Sequence, residues 1–177
     1  MIRYYVTDRR HGDIVAFASR AVRAGVDMIQ VREKDLSARD LFTLVSKIRD
    51  LATGTKTRVL VNDRLDIALA AGVDGVHLPS NGLPADRVRP LVDVLGVSTH
   101  TLQEAILAEE AGADFVVFGP IFDTPGKTAV GLNPLREVVA AVRIPVLAIG
   151  GMTAKTAPEV LAAGAAGIAG IRLFQME

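Results

Sequence analysis

Gln30, Arg32 and Lys34 alternate in the stretch "QVREK". Alternate side chains of an extended segment share a face, so this spacing aims an amide and two cations in one direction. Such a face suits an anionic substrate; the competing reading is a surface ion-pair patch with Glu33 and Asp35. "IGGMT" sets Gly150 and Gly151 between a strand pattern and a helix pattern. Paired glycines let backbone N–H groups approach a ligand, and a helix N-terminus favours phosphate. His100 ends "VSTH", beside Ser98 and Thr99. Imidazole both takes and gives a proton near neutral pH, although a histidine near a helix start also serves structure. His77, inside "GVHL", is either core or site. No pair of the three histidines has metal-ligand spacing.

Other β-rich runs end in groups of the same kind. These are Thr7-Asp8, Asn62-Asp63-Arg64, Thr124 and Lys127 of "TPGK", and Gly170 through Arg172. One phrase recurs: "AGVDMIQVR" from Ala24, "AGVDGVHL" from Ala71, "AGADFVVFG" from Ala111 and "AGAAGIAGI" from Ala163. Each closes a helical pattern with a glycine suited to the position after a helix, then enters an apolar run of the kind buried on both faces. The patterns predict strands at 3–7, 28–32, 59–62, 75–78, 95–98, 115–119, 145–149 and 167–171. They predict helices at 13–24, 37–52, 65–71, 84–94, 102–111, 134–142 and 153–163. Ser37 with Asp40 and Thr101 with Glu104 resemble capping boxes. Asn133 before Pro134 reads as an N-cap followed by proline at the first helical position.

Strict alternation of strand and helix predicts an α/β fold, a compact (β/α)8 TIM barrel forming one domain over 1–177. Its last helix is truncated, because only "LFQME" follows the last strand. A doubly wound open sheet is the runner-up, weakened by the absence of G-x-G-x-x-G after strand 1. In a barrel the candidate groups above all fall at the strand ends where function sits, and loops 7 and 8 often bind phosphate. The stunted helix predicts an uncovered stretch of wall shielded by a second subunit, hence a homo-oligomer, a dimer.

The bulk numbers agree. A chain of 177 residues can bury one real core, and 50% apolar composition suits a soluble globular protein. Zero net charge gives no reason to expect nucleic acid. The absence of cysteine excludes disulfides and thiol catalysis. No apolar run has membrane-spanning length and no signal-peptide pattern opens the chain, so a cytoplasmic protein is expected.

Taken in order, "YYVTD", "QVREK", "VNDRLDIALAAGVDGVHL", "GVSTHTLQEA", "GADFVVFGPIFDTPGK" and "PVLAIGGMT" resemble the successive motifs of the thiamin phosphate synthase/TenI superfamily. The resemblance spans nearly the whole chain. It implies a (β/α)8 barrel in the thiazole branch of thiamin synthesis, with a small phosphorylated thiazole as ligand. One branch, thiamin phosphate synthase, joins a hydroxymethylpyrimidine pyrophosphate to a thiazole phosphate and needs Mg²⁺. TenI-type proteins include a thiazole tautomerase, which aromatises a thiazole carboxylate phosphate without a cofactor.

By that resemblance Gln30, Arg32, Lys34, Asn62, Ser98, Thr124 and Lys127 bind substrate. Asp63 meets a metal in the synthase, and Gly150, Gly151, Ile171 and Arg172 hold the thiazole phosphate. Where the synthase typically reads "HLGQxDLP", this chain reads "HLPSNGLP", with Gly82 in place of the second metal carboxylate. "LPS" resembles the TenI branch, and His100 resembles its proton-transfer residue, with Ser98 and Thr99 available to orient the ring. "QVREK", "ND" and "TPGK" remain synthase-like. The sequence therefore favours a tautomerase, an isomerase, with the synthase, a transferase, as the alternative and a non-catalytic binder of thiazole or thiamin phosphates as the third reading. It further predicts that Gly82→Asp raises synthase activity and that bulk at Gly151 blocks phosphate while leaving the fold intact.

Overall fold

The computed structural model describes residues 1–175; Met176 and Glu177, the end of "LFQME", lie outside the described residues. Eight parallel strands close in sequence order, β8 pairing back onto β1. They are β1 (Ile2–Val6), β2 (Met28–Val31), β3 (Arg58–Asn62), β4 (Gly75–Leu78), β5 (Val94–Thr99), β6 (Phe115–Phe118), β7 (Val146–Ala148) and β8 (Gly167–Gly170). The helices are α1 (Ile14–Arg23), α2 (Ala38–Ala52), α3 (Leu65–Ala71), α4 (Ala85–Val88), α5 (Leu102–Glu110), α6 (Leu132–Ala141), α7 (Ala157–Ala162) and α8 (Arg172–Gln175). No described helix is long and apolar enough to cross a membrane.

The pleat divides the core in two. Tyr4, Met28, Leu60, Phe115, Val117, Leu147 and Ala169 fill the inside of the barrel. Their strand neighbours Tyr5, Ile29, Val61, Val116, Ala148 and Ile168 face outward and pack under the helices. Toward the strand ends the inward positions become polar, with Gln30, Asn62 and His77 all buried. An apolar floor thus carries a polar layer beneath the mouth.

A barrel this small needs glycines inside. At Gly96 of β5 an added Cβ would lie 2.4 Å from the Phe115 ring and 2.8 Å from His77 Nδ1. Gly96→Ala is expected to cost about 1–3 kcal/mol, the usual range for overpacking. Urea denaturation checks this, and an unchanged midpoint would contradict it.

The four Ala-Gly turns adopt positive φ at Gly25 (72°), Gly72 (63°), Gly112 (89°) and Gly164 (98°), as a helix C-terminus requires. Ser37 accepts from the Asp40 N–H and Thr101 from the Glu104 N–H, as the capping reading expects. Three helix boundaries differ from the sequence reading. The fourth helix stops at Val88 and gives way to a 3₁₀ turn over Arg89–Leu91, because Pro90 cannot continue the ladder. The sixth begins at Leu132 behind Gly131, so Asn133 is not its cap; the Asn133 side chain instead accepts from Arg136. The seventh begins at Ala157, after a turn in which Thr156 donates to the Gly151 carbonyl.

The short α8 covers more than its length suggests. Phe174 is buried against Tyr5, with ring centroids 6.1 Å apart, and Arg3 lies over its outer face. Among the described residues the exposed large apolar side chains include Phe42, Leu69, Leu91 and Leu107, and none lies on α1, α7 or α8. The uncovered wall expected there is therefore absent, and the argument for a dimer loses that support.

Candidate active site

Thr7, at the end of β1, organises the "QVREK" segment. Its hydroxyl donates to Glu33 Oε1 at 2.8 Å and accepts from the Arg32 N–H at 2.9 Å. The Arg9 N–H also donates to Glu33. Burial holds the Glu33 carboxyl above its ordinary pKa, partly offset by these donors. Glu33 is thus a structural tie, and the ion pair in this segment is Arg9 with Asp35. Side-chain alternation ends with the strand at Val31, so Gln30, Arg32 and Lys34 do not form one continuous row. Gln30 stays inside the barrel, where its Nε2 donates to Tyr4 at 3.0 Å.

Arg32 and Lys34 make no ion pair with any described residue. Arg32 stands close enough to His77 to act on its charge: burial first, and the Arg32 guanidinium second, push the His77 pKa down to about 3. Lys34, Glu33, Asn62, Asp63 and Arg64 line one pocket of about 150 Å³ at the ends of β2 and β3. Arg64 is already engaged by Asp66. A larger cavity, about 460 Å³, lies at the opposite end of the barrel, lined by Arg49, Lys56 and Asp74 among others. Strand C-terminal ends carry function in this architecture, which favours the smaller pocket.

Asp63 is the single described non-glycine residue with positive φ, at 63°. Its N–H donates to the His77 carbonyl, and its exposed carboxylate makes no hydrogen bond or ion pair among the described residues, feeling the charge of the neighbouring Arg64. A carboxylate held in left-handed backbone at a strand end is a candidate for function. Yet no three acidic or imidazole groups gather as a metal cluster among the described residues. Mg²⁺ often takes one or two carboxylates and completes its shell with phosphate oxygens and water. The donor set therefore fits a cation arriving with a pyrophosphate, held by Asp63, and does not fit a preformed cage.

Gly82 closes a tight turn in which its N–H donates to the Pro79 carbonyl at 2.9 Å. A Cβ there would lie 2.9 Å from Pro79 Cδ, so aspartate does not fit the turn as it stands. The expected gain from Gly82→Asp alone is corrected accordingly. The paired change Pro79→Gly with Gly82→Asp is expected to tighten Mg²⁺ binding in the presence of pyrophosphate, and the single change is not. Calorimetric titration of each variant checks this; equal affinities would contradict it.

His77 belongs to the barrel interior. It is 2% exposed, with Nδ1 3.2 Å from the Tyr4 hydroxyl and Nε2 2.8 Å from Ser98 Oγ. Ser98 therefore serves His77 and does not orient His100, and the Thr99 hydroxyl turns to the Val117 carbonyl. His100 is exposed and is oriented from the loop just after β6: its Nδ1 donates to the Gly119 carbonyl at 2.7 Å. That bond leaves Nε2 as the unprotonated nitrogen of the neutral ring, without a partner among the described residues.

Loops 6 and 7 are built against each other. Ile121 and Phe122 donate to the Ile149 and Gly150 carbonyls. In "TPGK", Thr124 and Lys127 exchange both backbone hydrogen bonds around Gly126 (φ 77°), and the Lys127 ammonium has no ion-pair partner among the described residues. Gly150 and Gly151 have φ of 98° and 66°, and their N–H groups have no described partner. The helix after them begins six residues further on, so any anion here is held by loop N–H groups and not by a helix N-terminus. A Cβ at Gly151 would sit 2.7 Å from Phe122 Cβ. Bulk at Gly151 disturbs the loop pair itself, contrary to the sequence expectation of an intact fold. Ile171 follows the end of β8, and Arg172 opens α8.

Sequence reasoning gave no role to Tyr4, named Thr7 only as a strand-end group, and offered Glu33 only as part of a surface ion-pair patch, where the structure has it tied to Thr7 and the Arg9 N–H. "YYVTD" and "QVREK" were legible as motifs, but nothing in one dimension shows that Thr7 ties β1 to β2 or that Tyr4 meets His77 across 73 residues.

Residues 3–174 match the family model TMP-TENI, described as thiamine monophosphate synthase. A thiamine-phosphate synthase from Methanoculleus marisnigri is 42% identical over 179 residues, covering 94% of this chain and 83% of that protein. A thiamine-phosphate synthase from Roseiflexus sp. is 40% identical over 178 residues, covering 95% and 75%. The solved thiamine phosphate pyrophosphorylase of Pyrococcus furiosus superposes with a TM-score of 0.91 at 34% identity, covering 98% of this chain and 92% of that one. With its closed barrel and its motifs at the strand ends, the chain belongs to the thiamine monophosphate synthase/TenI family.

Proposed function

We propose that this protein acts in thiamin biosynthesis as a thiamin phosphate synthase, condensing hydroxymethylpyrimidine pyrophosphate with thiazole phosphate. This reverses the order the sequence suggested, in which the tautomerase stood first. The observation that carries it is the pocket at the ends of β2 and β3, where Lys34 stands with Asn62 and Asp63. A tautomerase has no pyrophosphate to hold. The names of relatives at 40–42% identity add weight.

In this reading the pyrophosphate leaves with the electron pair of the broken carbon–oxygen bond. Charge therefore grows on the departing oxygens, and fixed cations and hydrogen-bond donors placed there lower the barrier. Arg32, Lys34 and Lys127 supply the cations, Ser98 and Asn62 the donors. Asp63 would hold the Mg²⁺, which when bound neutralises further charge on the leaving group. Gly150, Gly151, Ile171 and Arg172 would receive the thiazole phosphate. The test is pyrophosphate release on mixing the two substrates, with and without Mg²⁺. Magnesium-stimulated release that needs the thiazole phosphate supports the proposal; none above the enzyme-free rate refutes it.

Two observations favour the tautomerase as a second reading: Gly82 in the metal position, and the free Nε2 of His100. General acid–base catalysis typically contributes about 10²–10⁴-fold, so His100→Gln would then lose about that factor in aromatisation of the thiazole carboxylate phosphate. Equal rates in wild type and variant would clear His100 of the role. A dimer stays a proposal of the sequence alone, checked by light scattering at micromolar concentration.

A further inference from the structure

Four buried or half-buried polar groups on four strands form one hydrogen-bonded chain through the barrel. Gln30 Nε2 donates to the Tyr4 hydroxyl at 3.0 Å; that oxygen lies 3.2 Å from His77 Nδ1; and His77 Nε2 lies 2.8 Å from Ser98 Oγ. Tyr4 is fully buried, and Gln30 and His77 are 3% and 2% exposed, so all three are shut off from bulk solvent.

With the Gln30 amide oriented so that Nε2 faces Tyr4, the donors and acceptors allow one consistent direction. The Gln30 amide N–H can only donate, so it occupies a lone pair of the Tyr4 oxygen. The phenol proton then has one acceptor in reach, Nδ1 of His77. Nδ1 must be the bare nitrogen of a neutral ring, which puts the ring proton on Nε2, pointing at Ser98 Oγ. The serine oxygen is then an acceptor toward His77, and its own proton is left to point elsewhere. With that amide orientation, reversing any single link would leave a buried donor facing a donor.

We infer that Tyr4 and His77 are positioning residues that fix the Ser98 hydroxyl as a hydrogen-bond donor toward an anionic phosphate oxygen in the barrel mouth. The choice of ligand rests on the synthase reading; the direction of the chain does not. Ser98 is half-buried at the rim while its partners are sealed below, and the unpaired Arg32 stands near the same histidine. Gly96 is part of the device, because any side chain there would collide with the His77 ring.

The test uses the whole protein and inorganic pyrophosphate as probe. Tyr4→Phe keeps the ring that packs edge-on against Phe115 and removes the hydroxyl that sets the tautomer. In ligand-free wild type, ring-nitrogen NMR shifts of His77 should show the Nε2–H tautomer alone, and Tyr4→Phe should give a mixture. Tyr4→Phe and Ser98→Ala are each expected to weaken pyrophosphate binding about tenfold, and the double variant no more than either single, because both remove one donated bond. A wild-type Nδ1–H tautomer, or full additivity of the two losses, would overturn the inference. If Tyr4→Phe does not fold, Gln30→Met releases the chain from its other end and is read in the same way. If wild type binds no pyrophosphate, the synthase reading fails, and the tautomer measurement still decides the relay.

Discussion

Replacing Arg32 with methionine should lower kcat/KM of the condensation about 10²–10³-fold, the cost of removing one preorganised group from developing negative charge. Arg32 is the cation placed deepest. Its N–H is fixed by Thr7, and its charge is felt by the buried His77. It has no carboxylate partner among the described residues, so in the proposed reaction its charge is available to the pyrophosphate. Methionine keeps much of the side-chain length and the packing, which separates lost charge from lost structure. Arg32→Lys should recover only part of the activity, since an ammonium cannot present the planar fork to two phosphate oxygens. A methionine variant within threefold of wild type would remove Arg32 from the mechanism.

The second large effect belongs to Asp63. Asp63→Asn should lose about 10²-fold of the magnesium-dependent rate, on the scale of one charge-assisted contact. Asparagine tolerates the left-handed backbone that Asp63 adopts, so the fold should be kept. Asp63→Gly relieves the backbone altogether and should unfold no earlier than wild type, while losing the magnesium response as fully. Thermal melts beside rate measurements at several Mg²⁺ concentrations check both statements. A glycine variant that melts earlier and keeps its magnesium response would show that Asp63 serves the fold.

Much of this was legible in one dimension. The Ala-Gly turns, the apolar runs and the polar strand ends foretold the barrel, because parallel strands buried on both faces leave few other arrangements for such a pattern. Helix boundaries failed where a local signal was misweighted: Pro90 cut the fourth helix short, and Gly131 began the sixth ahead of Asn133 and Pro134. At the site the residue types were visible and their partners were not. Ser98 sits two residues from His100, where unbroken alternation would put both on one face, but β5 ends at Thr99, so Ser98 turns inward to His77 while His100 turns to Gly119. The Gly82 substitution was equally visible, but the closeness of Pro79 that blocks an aspartate there exists only in the folded turn.

In the proposed reaction the charged mouth of this barrel handles a leaving pyrophosphate. The most direct test is to incubate the purified wild-type protein with hydroxymethylpyrimidine pyrophosphate and thiazole phosphate, with Mg²⁺ or with chelator, and to identify the product by mass. Thiamin phosphate together with one equivalent of pyrophosphate is expected, formed faster with Mg²⁺ and at least about 10²-fold more slowly in the Arg32→Met and Asp63→Asn variants. No thiamin phosphate with Mg²⁺, alongside rapid aromatisation of the thiazole carboxylate phosphate by the same preparation, would contradict the proposed reaction.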